Sequence, residues 1–145
     1  MSDSLDPALL DLFRRHDRGV LATIRGNGRP QLSNVGYAYD ETPPALRISV
    51  TDDRAKTRNL RRDPRASFHV TTADGWAYAV AEGTAELSAV AQRPDDPATD
   101  ALVELYRSIA GEHSDWDDYR AAMVRERRLV LRLPVDRVYG MAPRG

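Results

Sequence analysis

The chain has 145 residues, of which 41% are hydrophobic and 30% charged, and its formal net charge at pH 7 is −1. These values are typical of one globular domain, here residues 1–145, and they argue against a nucleic-acid-binding protein whose whole surface is basic. The sequence contains no cysteine, which excludes disulfides, thiolate metal sites and cysteine nucleophiles.

Two further features of the sequence concern the location of the protein in the cell. No apolar run approaches the roughly 18 residues that a membrane-spanning helix needs. The first six residues are polar and acidic, unlike a secretory signal peptide. We therefore expect a cytoplasmic protein without a membrane partner.

The first half of the chain predicts one helix followed by strands. Asp6 and Pro7 supply an N-cap and a proline at the first helical position. The glycine-containing segment 25–28 is a strong hairpin signal. In chain order, the predicted elements are a helix to about residue 15, strands at 19–24, about 30–39 and 46–51, a short helix at 54–62 and a strand at 66–72.

The second half predicts a long strand, two helices and two closing strands. The long strand covers residues 76–87, and Gly83 within it indicates a bulge or a sharp bend. The helices cover 99–110 and 115–127, with Ser114 or Asp115 as the cap of the second one. Strands at 129–133 and 137–139 follow.

Six or seven strands joined by hairpins predict a mainly β fold, an antiparallel barrel with peripheral helices. The strands do not alternate with long helices, which argues against a parallel Rossmann sheet. The sequence also lacks the GxGxxG and Walker A motifs.

The segment 54–65 is the most basic part of the chain. Six of its twelve residues are cations, namely Arg54, Lys56, Arg58, Arg61, Arg62 and Arg65. Lys56 is the only lysine among 21 basic residues, and a lysine offers a compact charge where the planar fork of arginine does not fit.

An anion among these cations would explain their position. In a helix that begins near Ala55, the first turn holds Lys56, Thr57 and Arg58, and cations there oppose the helix dipole. Free backbone N–H groups, the Thr57 hydroxyl and the Lys56 ammonium together form a candidate phosphate site.

A solvated basic helix is the alternative interpretation. Its cations would then pair with Asp52, Asp53 and Asp63, which lie on either side of it. Arg61, Arg62 and Arg65 fit this role best, although they could also attract an acidic tail on a ligand. Spacing alone does not decide between the two interpretations.

Several segments resemble a known family. Residues 28–34 (GRPQLSN), 54–60 (RAKTRNL) and 63–67 (DPRAS) resemble the pyridoxamine 5′-phosphate oxidase-like superfamily, and within it the actinobacterial branch that uses the deazaflavin coenzyme F420. Residues 75–83 and 109–119 fit the same branch. The resemblance covers nearly the whole chain in the same order.

This resemblance implies a six-stranded split barrel that forms a homodimer, with two cofactor sites between the subunits. It implies three groups of cofactor-binding residues: Arg54, Lys56 and Thr57 with Ser49 and Val50 at the phosphate, Gln31, Ser33 and Asn34 at the ring system, and Trp76, Ala77 and Tyr78 from the second subunit. No catalytic residue or metal ligand is assigned.

The C-terminal segment 137–145 departs from true pyridoxamine phosphate oxidases. Those enzymes carry an arginine and a histidine near the C-terminus for the pyridoxal substrate, and this segment has no histidine. Oxidation of pyridoxamine phosphate is therefore not expected.

The resemblance implies instead that reduced coenzyme F420 delivers hydride to an electron-poor conjugated molecule such as a quinone, an enone or a biliverdin-like tetrapyrrole. An FMN-binding flavoprotein and a non-catalytic cofactor carrier are the alternatives. A nucleic-acid interface at the basic segment is not expected, since no aromatic residues are interleaved there.

Overall fold

The computed structural model describes residues 5–144. This part of the chain contains four helices and nine strands. In chain order they are α1 (Pro7–Arg15), β1 (Arg18–Ile24), β2 (Pro30–Gly36), β3 (Ala38–Glu41), β4 (Pro44–Thr51), α2 (Ala55–Arg62), β5 (Arg65–Thr71), β6 (Tyr78–Thr84), β7 (Glu86–Leu87), α3 (Pro97–Ala110), α4 (Trp116–Arg125), β8 (Arg128–Pro134) and β9 (Arg137–Met141).

The strands form two antiparallel sheets. One sheet has the order β2-β1-β5-β6-β9 and the other has the order β3-β4-β8-β7. Their inner faces enclose one core, so the fold is the predicted antiparallel split barrel. β3 pairs only with residues 44–47 of β4, which leaves the second half of β4 unpaired on the side that contacts the edge strand β2.

The predicted strand at about 30–39 is divided in two, because the chain changes sheets at Tyr37. The backbone N–H of Tyr37 donates to the Asp17 carbonyl, and its phenol donates to the Phe13 carbonyl over 2.6 Å. The first bond is the last one of the β1–β2 register, and the second anchors the buried ring to α1; beyond Tyr37 the chain continues as β3 in the other sheet.

The predicted strand at 76–87 is divided for the same reason. β6 ends at Thr84. The N–H of Ala85 still donates to the Pro64 carbonyl in the β5–β6 register, but Pro64 has no N–H to return a bond, so the ladder stops there. β7 then joins the other sheet beside β8. The β5–β6 register runs through Gly83 without the bulge that was one of the two expectations, and the change of sheets follows at Ala85, two residues later. The strand count exceeds the prediction because of these two crossings.

Gly83 itself lies where the two sheets touch. A Cβ at this position would collide with the backbone oxygen of Pro134. We expect Gly83→Ala to lower the free energy of unfolding by about 1–3 kcal/mol, because the rigid backbone of β8 must move. Urea unfolding would measure this, with Gly26→Ala as control, since the nearest atom there belongs to the flexible Arg62 side chain at 3.7 Å. Equal losses in the two variants would contradict the close approach.

The helices pack against both sheets, but at different places. Leu9, Leu12 and Phe13 of α1 pack into the barrel core. α3 and α4 pack on β4 and β8 and form a second hydrophobic cluster there. The outer face of the five-stranded sheet carries no such layer. None of the helices in residues 5–144 is long and apolar enough to cross a membrane.

The predicted helix caps are confirmed at two positions. The Asp6 carboxylate accepts from the Ala8 N–H at the start of α1. The Asp115 carboxylate accepts from the Asp118 N–H at the start of α4. α2 begins at Ala55 as predicted, but its N-cap residue, Arg54, makes no side-chain capping bond.

Candidate cofactor site

Lys56 lies in the first turn of α2, directly after β4, and its side chain is half-buried. Burial lowers the pKa of its ammonium group, and the nearby cations Arg54 and Arg128 lower it further. Among residues 5–144, no carboxylate forms an ion pair with Lys56 or Arg54. These two cations and Arg128 therefore form a positive site whose mutual repulsion a bound anion would relieve.

Two of the three neighbouring carboxylates, Asp52 and Asp63, are engaged elsewhere. Asp52 pairs with Arg127 at 2.9 Å and with Arg61 at 2.6 Å, and hydrogen bonds from these two residues lower the pKa of its carboxyl group. Asp63 pairs with Arg65 at 2.7 Å. The solvated-helix interpretation is therefore confirmed for Arg61 and Arg65. It does not describe Lys56, nor Arg62, which pairs with no carboxylate among residues 5–144 and donates to the Ile24 carbonyl and to Asn59.

Several hydrogen-bonding groups close to Lys56 have no partner. The backbone N–H groups of Ala55 and Lys56 have no acceptor within the described part of the chain. The Thr51 Oγ1 atom, at the end of β4, is buried and also unpaired among these residues. Buried polar groups are normally hydrogen-bonded, so a group left without a partner beside a cation fits a missing oxyanion such as a phosphate.

Ser49 and Arg128 extend this site across the sheet. Arg128 Nη1 donates to Ser49 Oγ over 3.2 Å, while Arg128 Nε donates to Glu126 over 2.8 Å. The β4–β8 register sets Thr51 opposite Arg128, which places the guanidinium beside the start of α2. The sequence analysis missed Arg128, because only strand pairing brings it to Lys56.

Arg58, also predicted at this site, is exposed. Its Nη1 atom donates to the Asp53 carbonyl over 2.9 Å. This bond keeps the guanidinium near the start of α2 and leaves its other donors free.

Two predicted phosphate contacts need correction. Thr57 is fully buried, and its hydroxyl donates to the Thr51 carbonyl over 2.7 Å, so it ties α2 to β4 and cannot donate the same proton to a phosphate. Val50 is 1% exposed and its side chain belongs to the barrel core. Only the backbone of Val50 could face a ligand.

The three residues predicted at the ring system do not share one face. Gln31 and Ser33 alternate with Asn34 along β2, and successive side chains of a strand point to opposite sides. Ser33 lies opposite the buried Leu21 and therefore on the inner side, whereas Asn34 lies opposite Val20 on the outer side. Within one chain, only Gln31 and Ser33 face the side on which β4 lies.

Asn34 and Tyr78 lie on the same outer face of the five-stranded sheet. The register aligns Asn34, Val20 and His69 in one row across β2, β1 and β5. The His69 ring contacts the Tyr78 ring with a centroid separation of 5.8 Å.

Trp76 and Ala77 lie in the loop before β6. Trp76 is 79% exposed and lines an open cleft of about 620 Å³ together with Met141 and Arg144. The lining of this cleft contains no residue of α2. Ala77 is buried, and its carbonyl accepts from the Thr72 N–H. The predicted site residues thus form two separate groups in one chain.

Residues 5–142 match the family model described as pyridoxamine 5′-phosphate oxidase. The chain belongs to this family. The family has the split-barrel fold seen here, binds cofactors of the flavin type and is of the oxidoreductase type. The resemblance noted in the sequence is thereby confirmed at the level of the family.

Solved structures with this fold include three that cover nearly all of the chain. The conserved hypothetical protein Rv2991 from Mycobacterium tuberculosis has 22% sequence identity and a TM-score of 0.71, over 97% of this chain and 90% of its own. An F420 reductase has 22% identity and a TM-score of 0.70, over 93% and 98%. A heme binding protein from Mycobacterium smegmatis has 23% identity and a TM-score of 0.67, over 99% and 57%. At these identities, the likeness shows the fold alone.

Proposed function

We propose that this protein is a coenzyme F420-dependent reductase that passes hydride from reduced deazaflavin to an electron-poor conjugated molecule, such as a quinone, an enone or a biliverdin-like tetrapyrrole. The observation that carries the proposal is the positive site around Lys56, where Lys56, Arg54 and two free backbone N–H groups have no anionic partner among residues 5–144. The residue patterns 28–34 and 54–60 and the fold of the F420 reductase support the choice of cofactor.

The residues at the start of α2 would hold the cofactor phosphate. Lys56 and Arg54 supply the charge, Arg128 adds a third cation beside Ser49, and the free N–H groups of the helix supply directed donors. Gln31 supplies an amide to the polar edge of the ring system. When bound, the deazaflavin supplies the hydride, while the protein binds and orients it.

A homodimer would join the two groups of site residues. The outer face of the five-stranded sheet exposes Leu32 by 65%, Tyr139 by 46% and Met141 by 57%, next to Trp76. Apolar side chains exposed on one sheet face are typical of a protein–protein contact. A second copy on this face would bring Trp76 and Tyr78 to the partner's ring system and exclude water from it.

FMN is the second candidate cofactor. A positive site for a phosphate would hold FMN and F420 in much the same way, so Lys56 does not distinguish between them. A carrier that binds the cofactor without turnover would use the same residues. Binding of the ring system distinguishes the two cofactors, and turnover of an acceptor distinguishes an enzyme from a carrier.

Titration of the purified protein with F420 and with FMN, read by fluorescence, tests the proposal. We expect F420 to bind with one site per chain in a species of twice the chain's mass, and reduced F420 to be oxidised by a quinone, an enone or biliverdin. Tight binding of FMN without F420 would overturn the cofactor assignment. Binding of F420 without turnover of any of these acceptors would favour the carrier.

The affinity for the cofactor should fall with rising pH on the alkaline side. The free protein holds the pKa of Lys56 below its ordinary value, so the ammonium is lost earlier than in other lysines. Because a bound phosphate favours the charged form, binding weakens as the pH rises through this lowered pKa. Dissociation constants between about pH 7 and pH 10 would show the decrease.

Lys56→Arg is the matched control for this prediction, since a guanidinium stays charged over that range. Its affinity should be independent of pH there, whatever its absolute value. A parallel decrease in both proteins would assign the titration to a different group.

A further inference from the structure

Asn59 connects three elements inside the candidate site. It lies on α2, one helical turn after Lys56, and is only 7% exposed. Its Nδ2 atom lies 3.1 Å from Thr23 Oγ1 on β1 and 3.5 Å from Gln31 Oε1 on β2. Its Oδ1 atom accepts from Arg62 Nη2 over 3.1 Å. The carboxamide therefore links the helix that carries Lys56 to the strand that carries Gln31.

Arg62 determines which way this carboxamide points. A guanidinium only donates hydrogen bonds, so the Asn59 oxygen must face Arg62 and its NH₂ group must face Gln31. Arg62 is itself held by the Ile24 carbonyl, which accepts from Nη2 over 2.8 Å. The direction of the Asn59 amide is thus set by Arg62 on α2, which is itself fixed by β1.

The same reasoning extends to Gln31. Because Asn59 presents a donor, Gln31 presents its oxygen to Asn59 and turns its NH₂ group the other way. The Gln31 Nε2 atom has no acceptor among residues 5–144 and is not among their buried unpaired atoms, so it is open to a ligand. Gln31 is therefore held as a hydrogen-bond donor.

We propose that Asn59 is a positioning residue, which keeps Gln31 Nε2 directed as a donor toward an acceptor atom of the bound ring system, such as a ring carbonyl oxygen. This inference rests on the proposed function, since it takes the ligand to be a flavin or a deazaflavin. It assigns the recognition of both ends of the ligand to α2, through Lys56 at the phosphate and through Asn59 and Gln31 at the ring.

Asn59→Asp tests the proposal with almost no change in shape. The carboxylate still accepts from Arg62 and from the Thr23 hydroxyl, but it cannot donate to Gln31. Gln31 would then turn its NH₂ group toward the carboxylate and its oxygen toward the ring. We expect about tenfold weaker binding of the ring system, as for a lost hydrogen bond that leaves two acceptors facing each other.

Ligand pairs with and without phosphate separate the two ends of the site. The pairs are FMN with riboflavin, and F420 with its phosphate-free deazariboflavin core. Asn59→Asp should weaken both members of a pair by the same factor, since only the ring contact changes. Loss of phosphate-dependent binding alone would place Asn59 at the phosphate and overturn the proposal.

Coupling with Gln31 distinguishes positioning from a general structural role. Gln31→Glu removes the same donor directly, so we expect a similar loss of ligand affinity. The double variant should bind the ligands no more weakly than either single variant. Additive losses would overturn the proposal. Asn27→Asp is the control for the added charge. Asn27 lies in the exposed hairpin, where its Oδ1 atom accepts from the Arg29 N–H, and a carboxylate can accept the same bond.

A second variant covers the case in which Asn59→Asp does not fold. Arg62→Met removes the donor that orients the Asn59 amide, together with its bond to the Ile24 carbonyl, and it changes an exposed residue. Like Asn59→Asp, it should weaken the binding of both members of a ligand pair by the same factor. An unchanged affinity would overturn the proposal. If the wild-type protein binds neither ligand pair, the proposed function fails before Asn59 is in question.

Discussion

Lys56→Ala is expected to weaken the binding of FMN and of F420 by about 1.5–3 kcal/mol, roughly 10- to 150-fold. The half-buried ammonium has no carboxylate partner among residues 5–144, so its charge is available to a ligand phosphate. The lost interaction is a hydrogen bond between two charged groups, which is about twice as strong as a neutral one. Fluorescence titration at neutral pH measures the change.

Arg61→Ala is the matched control for this variant. Arg61 lies on the same helix, but its charge is already engaged by Asp52 at 2.6 Å. Its removal should leave cofactor affinity near the wild-type value. Riboflavin, which lacks the phosphate, should bind to the wild-type protein and to Lys56→Ala equally well. A riboflavin loss as large as the FMN loss would contradict the placement of the phosphate at Lys56.

Phe68→Ala is expected to lower the free energy of unfolding by about 3–5 kcal/mol. Phe68 lies on β5 with no exposed surface, and its ring contacts Tyr37 at a centroid separation of 4.9 Å and Phe13 at 6.4 Å. These contacts join the five-stranded sheet, the crossing between sheets and α1. The cavity left by the ring would be lined by all three, and urea unfolding would report it.

Phe68→Leu separates the loss of the ring from the loss of buried volume. Leucine keeps most of the apolar volume, so the variant should lose less than about 1.5 kcal/mol. A similarly small loss for Phe68→Ala would mean that neighbouring side chains fill the space, and that Phe68 does not organise the core. Since Phe68 faces the barrel interior, neither variant should change the relative affinities for FMN and riboflavin.

Signals that act over a few residues were readable in the sequence. Asp6 and Asp115 were predicted as helix caps, and both accept a backbone N–H in the first turn. The turn at 25–28 was predicted from its glycines, and Gly28 adopts a positive φ of 84°. These features depend on the chemistry of residues adjacent in the chain, so no distant contact can change them.

Strand boundaries were less predictable. The alternation of side chains continues through Tyr37, yet the chain changes sheets there, and the Tyr37 N–H makes the last bond of the β1–β2 register. β6 ends where Ala85 faces Pro64, which has no N–H to return a bond. The residues that lie opposite a strand come from other parts of the chain, and the pattern within the strand carries no information about them.

The candidate site was likewise predictable only in part. Composition and helix position were enough to single out Lys56 and its basic segment as a place for an anion, because a lone lysine and unpaired helix N–H groups are local properties. The tertiary structure alone decided which groups accompany it. Strand register brought Arg128 to Lys56, burial committed the Thr57 hydroxyl to Thr51, and packing of α2 on the barrel joined Asn59 to Gln31. Which face a side chain occupies and what it meets there depend on pairing between distant segments, and that is set only when the barrel closes.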